Sequence, residues 1–242
     1  MPENTLAAFD DARSRGVDGL ELDVRLARDG TPVVIHDRTL DRTTNLRGPV
    51  DTFTADELGR ADAGYGFLDI DRYPFRGQGI GVPTLTSVLR CYRDLRVIVE
   101  MKDATPELAR ATIAAVRDGD AMDRVCVGAF GRRALADIRA QRDLATSASR
   151  EEVRWALYRS WVRWPVARPA YDGYQVPEIR AGHRVVSPRF IADAHGAGLP
   201  VQVWTVNDPA DAERLIAWGA DAIITDRPDL ILPAVRSRER PT

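Results

Sequence analysis

Three carboxylates fall within two apolar stretches that the sequence predicts to be strands. Glu21 and Asp23 alternate with apolar residues in the stretch 19–24, and Glu100 lies in the run 97–101. Because strand side chains alternate between two faces, Glu21 and Asp23 share one face. Carboxylates on a buried strand are costly unless a cation lies between them. Oxygen ligands of this kind suit a divalent cation, Mg²⁺ or Ca²⁺, and Mn²⁺ is also compatible.

His36 is the titratable side chain that we expect beside these carboxylates. It follows the apolar stretch 32–35, and residues 28–31 have the composition of a tight turn. A parallel crossover needs about a dozen residues, so the two strands are predicted to form an antiparallel hairpin. That pairing puts His36 opposite Leu22. An imidazole there can act as a general acid or as a general base, and the sequence leaves the choice open.

Lys102 is the only lysine among 34 basic residues. Its alternation with Met101 places it on the same strand face as Glu100. A drift towards arginine codons would explain the arginines, but an ammonium is not interchangeable with a guanidinium, so we interpret the lysine as functional. A divalent cation and an ammonium facing one anion would suit a phosphodiester. Glu21 and Glu100 could instead be the acid/base pair of a glycosidase, although Asp23 on the same face argues for a cation.

The elements that must position these residues alternate along the chain. A helix is predicted at 5–15, the hairpin follows, and an irregular insertion of about 38–82, too poor in apolar residues for its own core, precedes regular alternation. The predicted strands are 97–101, 125–129, 144–146, 172–176, 201–206 and 222–225. The predicted helices between them are 86–93, 106–119, 132–142, 151–162, 188–198 and 209–219. Such alternation favours a parallel sheet covered by helices, and here a single α/β domain over 1–242 with a (β/α)8 TIM-type barrel.

Only seven parallel strands can be counted, although a barrel of this type has eight. The chain opens on the helix that should follow a first strand, and an unclosed barrel would leave two exposed strand edges. We therefore expect that the first strand is missing from this sequence, through a misplaced start or a fragmentary gene. A seven-stranded barrel that closes is the alternative.

Composition excludes several classes of protein. The net charge of −2 gives no case for nucleic-acid binding. Cys91 and Cys126 lie in apolar runs and are interpreted as buried free thiols. No apolar run has the length of a membrane span and no signal peptide is recognised, so a cytoplasmic location is expected, provisionally, since a lost N-terminus could have carried a signal. His183 in a polar loop and His195 in a helix are interpreted as solvated or structural.

The ordered motifs of the chain resemble the glycerophosphodiester phosphodiesterase family. The matching pieces, in family order, are Pro2-Glu3-Asn4-Thr5, Glu21-Leu22-Asp23-Val24, Val34-Ile35-His36-Asp37, Leu40-Asp41-Arg42-Thr43-Thr44-Asn45, Pro83-Thr84-Leu85, Val99-Glu100-Met101-Lys102, Trp204-Thr205-Val206-Asn207-Asp208 and Thr225-Asp226. The resemblance implies a barrel related to phosphatidylinositol-specific phospholipases C. It implies metal ligands at Glu21, Asp23 and Glu100. It also implies His36 as one of two acid/base histidines, Lys102 near the phosphate and Trp204 on the alcohol pocket.

The chain departs from this family at its first strand. Family members carry a His-Arg pair just before the stretch that matches Pro2–Thr5, and in this sequence only Met1 stands before that stretch. The resemblance implies metal-dependent hydrolysis of a small-molecule glycerophosphodiester to glycerol phosphate and an alcohol. The alternatives are a lysophospholipase D on the same scaffold, and a catalytically impaired binding protein if Met1 is the true start.

Two features of the second half are not explained by the resemblance. Gln175, near a predicted strand end, either contacts substrate or lines the mouth of the barrel. The segment 153–171 holds Trp155, Trp161 and Trp164 among several arginines. This composition is found in segments that contact membrane surfaces. Packing of the tryptophans onto the barrel is the interpretation that we favour, because an aromatic stripe at helical spacing is usually core.

Overall fold

The computed structural model describes residues 1–162 and 169–239, with side chains through residue 236. Its contacts divide the chain into two units, Met1–Leu144 and Ala145–Thr242. The single domain expected over residues 1–242 stays a prediction.

Unit 1 contains four strands and five helices within its described residues. In chain order they are α1 (Leu6–Arg15), β1 (Gly19–Leu26), β2 (Pro32–Val34), α2 (Ala55–Gly59), α3 (Leu85–Cys91), β3 (Arg96–Met101), α4 (Pro106–Asp118), β4 (Val125–Ala129) and α5 (Arg132–Arg139). A short 3-10 helix lies at Val50–Thr52. The predicted elements of this unit are present, with bounds that shift by a few residues.

The strand pairing of unit 1 confirms the predicted hairpin and the predicted parallel sheet. Within this unit the strand order is β2-β1-β3-β4. Strand β2 pairs with β1 antiparallel, and the turn between them uses Gly30 at a φ of 79°, which an L side chain rarely adopts. Strands β1, β3 and β4 are parallel, and Asp23 on β1 is the register partner of Glu100 on β3. Two of the predicted metal ligands therefore lie side by side on neighbouring strands.

The largest apolar cluster of unit 1 lies between its sheet and its helices. Leu22, Val24 and Val99 are fully buried in it, as expected for strand positions facing helices. Helix α1 begins where the Thr5 hydroxyl accepts a hydrogen bond from the Ala8 amide. That cap matters for the site, because it fixes the direction of the segment just before the helix.

The insertion of about 38–82 shares a small apolar cluster with the hairpin. The buried apolar residues that form it are Ala27, Val33, Ile35, Leu40, Val50, Leu58, Ala63 and Val82. Three of them, Ala27, Val33 and Ile35, come from the hairpin and its end. The insertion therefore packs against the hairpin and supplies only part of the cluster.

Unit 2 holds the remaining elements of the described chain. They are β5 (Ala145–Thr146), α6 (Arg150–Val162), β6 (Tyr174–Pro177), β7 (Ile179–Arg180), β8 (His183–Arg184), α7 (Pro188–Gly196), β9 (Val201–Trp204), α8 (Pro209–Ala217), β10 (Ala222–Ile223) and α9 (Pro228–Glu239). Strands β6, β9 and β10 form a parallel sheet in the order β10-β9-β6. Helix α9 and the hairpin of β7 with β8 were not predicted, and His183 lies on β8 rather than in a loop.

Several predicted burials are wrong. Cys91 is a free but exposed thiol at the end of α3, and Cys126 is half-buried. On α6, Trp155 is 64% exposed and Trp161 is 75% exposed, so they do not pack as core residues. Trp164 lies outside the described residues. None of the described helices has the length and apolar character required to cross a membrane.

Candidate active site

The most buried acidic side chain of the predicted site is paired with the single lysine. Asp23 is 6% exposed, and its Oδ1 lies 2.7 Å from Nζ of Lys102. The Lys102 amide donates to the Val24 carbonyl, which continues the pairing of β1 with β3 and fixes the start of the lysine side chain. The ammonium also lies 5.7 Å from the centre of the Phe130 ring. Lys102 is therefore held in place at the end of β3.

Asn4 orients the other oxygen of Asp23. Its side-chain amide donates to Asp23 Oδ2 at 2.9 Å, and its Oδ1 accepts the Asp23 backbone amide at 3.1 Å. Asn4 has a φ of 55°, a conformation in which asparagine is tolerated better than most residues. The segment before α1 thus reaches β1 and fixes Asp23 with two hydrogen bonds, one to its carboxylate and one from its backbone amide.

The other two predicted metal ligands lie near Asp23 in the strand register. Glu100 is the direct partner of Asp23, and Glu21 precedes Asp23 by two residues on the same strand. Their oxygen donors fit a hard divalent cation by type and by strand face. Among residues 1–162 and 169–239, however, no three histidine, cysteine, aspartate or glutamate side chains are grouped so that they could hold a metal ion. The ligand set therefore stays a prediction. In this structure Lys102 contacts one of the Asp23 oxygens.

His36 follows β2, and neighbouring groups hold both its backbone and its ring. Ile35, the preceding residue, donates its backbone amide to the Asp23 carbonyl at 2.9 Å. Nδ1 of His36 lies 2.8 Å from Oδ1 of Asp37. Arg25 donates from Nε to the His36 carbonyl at 2.9 Å and from Nη1 to both oxygens of Asp103, the residue after Lys102. The backbone of His36 is therefore linked through Arg25 to the end of β3.

Asp37 is the most strongly perturbed acid at this site. Hydrogen bonds from Arg42, with a smaller effect from His36, lower the pKa of Asp37 to about 2. Hydrogen bonds to Glu3 and then to Asp37 raise the pKa of Arg42 above its usual range. Asp37 is consequently a carboxylate at any pH at which an imidazole titrates, and a carboxylate can only accept the hydrogen bond from Nδ1.

Two predicted substrate-binding residues lie in unit 2. Trp204 is half-buried at the C-terminal end of β9, and the loop after it is held by Asn207, which donates to Asp226 and accepts the Thr225 hydroxyl. Gln175 is half-buried on β6 and is the register partner of Gln202 on β9. Both predicted positions thus lie at or near strand ends of the sheet of unit 2.

Four residues that hold the predicted site residues were not identified from the sequence: Asn4, Arg25, Arg42 and Asp103. Asn4 and Arg42 belong to motifs that carried the family resemblance, but the motifs gave no role to either residue. Arg25 lies two residues after Asp23 on β1, and Asp103 directly follows Lys102 beyond the end of β3. Strand alternation, which puts Arg25 on the face of Asp23, and the position of Asp103 after a strand end were the only signals in the sequence that could have pointed to them.

The chain is similar to several known proteins. Residues 1–230 match the glycerophosphoryl diester phosphodiesterase family. A glycerophosphodiester phosphodiesterase of Caldanaerobacter subterraneus subsp. tengcongensis is 33% identical, over 98% of this chain and 93% of that protein. A crystal structure of a glycerophosphodiester phosphodiesterase from Agrobacterium tumefaciens is 29% identical with a TM-score of 0.74, covering 96% of this chain and 94% of that one.

A third similar protein has a product bound. It is a phosphodiesterase from Oleispira antarctica, solved in complex with sn-glycerol-3-phosphate, 25% identical with a TM-score of 0.77, covering 97% of this chain and 92% of that one. These structural likenesses agree with the α/β TIM-type fold that was predicted. The chain belongs to the glycerophosphoryl diester phosphodiesterase family, a family of phosphoric diester hydrolases.

Proposed function

We propose that this chain hydrolyses glycerophosphodiesters to glycerol phosphate and an alcohol. The observation that carries the proposal is the pairing of Lys102 with Asp23 at 2.7 Å, because it places a buried ammonium next to the predicted metal ligands. Family membership and the glycerol phosphate bound to the Oleispira relative support the same substrate class. The alcohol released would be one such as choline or ethanolamine.

Lys102 would bind the phosphate. An ammonium is a compact charge with three donors, and Lys102 uses one of them on Asp23, so that the others can meet phosphate oxygens. Because most of the lysine side chain is buried, solvent would screen the attraction between its ammonium and a phosphate oxygen only weakly. Asn4 keeps Asp23 in one orientation, and Asp23 in turn keeps the ammonium in one position.

His36 would move the proton that hydrolysis requires. Where water attacks phosphorus, the bond from phosphorus to the alcohol oxygen breaks, and the alcohol leaves with a proton. Where the glycerol hydroxyl attacks, the same bond breaks, and a water must then open the cyclic phosphate to give glycerol phosphate. Because Asp37 accepts from Nδ1, the neutral ring presents Nε2 as its basic nitrogen. His36 in this state can remove the proton of the attacking hydroxyl, and in its charged state it can protonate the leaving alcohol. A positioned acid or base of this kind contributes about 10² to 10⁴ in rate.

Glu21, Asp23 and Glu100 would hold a divalent cation, Mg²⁺ or Ca²⁺. The chemistry of the three donors and the register of Asp23 with Glu100 support this assignment. Enzymes of this family generally depend on such a cation. When bound, it would polarise the phosphate oxygens and acidify the attacking hydroxyl.

Trp204 and Gln175 are proposed to contact the substrate alcohol. Trp204 offers an indole face at the end of β9, where alcohol carbons or a quaternary ammonium could pack. Gln175 offers an amide that can donate to or accept from an alcohol oxygen. Their variants should change KM for different alcohols more than they change kcat.

Release of glycerol phosphate from glycerophosphocholine, followed by ³¹P NMR with Mg²⁺ or Ca²⁺ present, tests the proposed function. The wild type should release glycerol phosphate, a chelator should suppress the release, and Lys102→Arg should lose most of it. Arg28→Lys is the matched control, since Arg28 is half-exposed and bonded to Thr52 and Glu57. Full activity in Lys102→Arg would remove the lysine from the phosphate site.

Lysophospholipase D activity is the second candidate, and the exposure of Trp155 and Trp161 favours it. Lipid-like substrates reside at membrane surfaces, and exposed indoles on a helix that also carries arginine suit such a surface. Headgroup release from lysophosphatidylcholine, compared with release from glycerophosphocholine, separates the two activities. A preference for the lysolipid would replace the first proposal.

A further inference from the structure

Arg42 joins two acidic groups, which bind two adjacent edges of its guanidinium. Its Nη1 and Nη2 donate to the two oxygens of Glu3 at 2.7 and 2.6 Å. Its Nε and Nη2 donate to the two oxygens of Asp37 at 2.6 and 3.0 Å. Four hydrogen bonds from one planar guanidinium fix both carboxylates relative to each other. A lysine in the same place could not reproduce the two parallel pairs.

The contact between Asp37 and His36 depends on the same carboxylate orientation. Oδ1 of Asp37 accepts from Nδ1 of His36 at 2.8 Å and also from Nη2 of Arg42, while Oδ2 accepts from Nε of Arg42. The His36 side chain is 52% exposed, so packing alone does not hold the ring. Rotation of the Asp37 carboxylate would break the bond to Nδ1, and the bonds from Arg42 oppose that rotation.

We propose that Arg42 is a positioning residue for His36. Anchored by Glu3, the Arg42 guanidinium holds the Asp37 carboxylate against Nδ1 of His36, which keeps the proton of the neutral ring on Nδ1 and leaves Nε2 basic. The role of His36 in hydrolysis rests on the proposed function, but the effect of Arg42 on the ring does not. The ordinary alternative is that Arg42 only ties the insertion to the segment before α1, as surface ion pairs often do without effect elsewhere.

Imidazole ¹⁵N chemical shifts test this proposal, because they report which ring nitrogen carries the proton. The chain has three histidines, which can be assigned by single substitution. At alkaline pH, wild-type His36 should carry its proton on Nδ1. His195 contacts Asp221 through Nε2 at 2.8 Å and should carry its proton there. The two dyads therefore give opposite signals in one spectrum, and His195, whose partner is Asp221, serves as an internal reference.

Arg42→Lys should shift His36 to a mixture of the two tautomers and leave His195 unchanged. In an active enzyme the same variant should lower kcat by about 10- to 100-fold, the usual loss for a residue that orients a site ligand, with little change in KM. Glu3→Gln should change the His36 tautomer ratio and kcat in the same direction by a smaller amount. It replaces Arg42→Lys in the test if that variant does not fold. Arg28→Lys, half-exposed like Arg42, should change neither.

Unchanged tautomers in folded Arg42→Lys and Glu3→Gln would overturn the proposal, even if both variants melted at lower temperature. A changed tautomer with an unchanged kcat would overturn the link to hydrolysis. If the wild type releases no glycerol phosphate, the proposed function fails, and the ¹⁵N shifts still decide whether Arg42 sets the state of His36.

Discussion

The ammonium of Lys102 lies 2.7 Å from Oδ1 of Asp23, and both side chains are largely buried. Asp23 also belongs to the predicted ligand set of a divalent cation, so Lys102 supplies a positive charge beside that predicted site. The pair has a direct consequence for stability, because a buried charge whose partner is removed is costly.

Lys102→Met is expected to lower the free energy of unfolding by about 3 kcal/mol, the usual cost of leaving a buried carboxylate without its counter-charge. Urea unfolding measures the loss. Arg110→Met, which removes an exposed pair with Glu107, should cost less than about 1 kcal/mol. If a divalent cation binds at Asp23, adding Mg²⁺ should recover part of the loss in Lys102→Met. A loss no larger than that of the control would mean that the pair is not buried in solution.

Thermal stabilisation by a divalent cation tests the predicted ligands. Mg²⁺ or Ca²⁺ should raise the melting temperature of the wild type, because a ligand that binds only the folded state stabilises it. Glu21→Gln should abolish that increase. Glu107→Gln, an exposed glutamate on α4, should keep it. An equal increase in Glu21→Gln would remove Glu21 from the ligand set.

The depressed pKa of Asp37 predicts a pH-dependent contribution to stability. Its pKa is about 2 in the folded protein against 3.8 ordinarily, so folding favours the charged form. The contribution is therefore fully present above pH 3.8 and is lost as the pH falls through about 2. Because Asp37 and its partners are partly exposed to solvent, we expect this contribution to the free energy of unfolding to be about 1 kcal/mol. That is less than the full value that the difference in pKa would give.

Unfolding of Asp37→Asn across the acid range provides the measurement. The variant should be less stable than wild type near neutral pH, and the two curves should converge towards pH 2. Asp56→Asn, at an exposed pair with Arg60, should follow the wild type throughout. A difference between Asp37→Asn and wild type that does not depend on pH would contradict the assignment of the shift to Asp37.

The exposed face of α6 predicts binding to anionic vesicles. Trp155, Tyr158 and Trp161 are spaced three residues apart on this helix and are all exposed. We expect salt-sensitive co-sedimentation with anionic vesicles and much weaker binding to neutral ones. Trp155→Ser/Trp161→Ser should lose most of it. Binding that survives the double substitution would exclude these two residues as the contact.

Periodic features of the chain could be predicted from the sequence. The faces of Glu21, Asp23, Glu100 and Lys102 follow from strand alternation, and the hairpin follows from its short turn. The contacts of Asn4 with Asp23 and of Arg42 with Glu3 could not be predicted, since each involves an irregular segment and joins residues that are 19 or 39 positions apart. The exposure of Trp155 was missed because helical spacing alone does not tell a core face from an exposed face.

Hydrolysis of glycerophosphocholine by wild type, His36→Gln and His195→Gln tests the central claim most directly. The two histidines are matched, because each has a ring nitrogen 2.8 Å from an aspartate oxygen. The account predicts that the wild type releases glycerol phosphate, that His36→Gln loses at least about 10²-fold in kcat and that His195→Gln retains nearly all activity. Equal losses in the two variants, or no release by the wild type with Mg²⁺ or Ca²⁺ present, would contradict it.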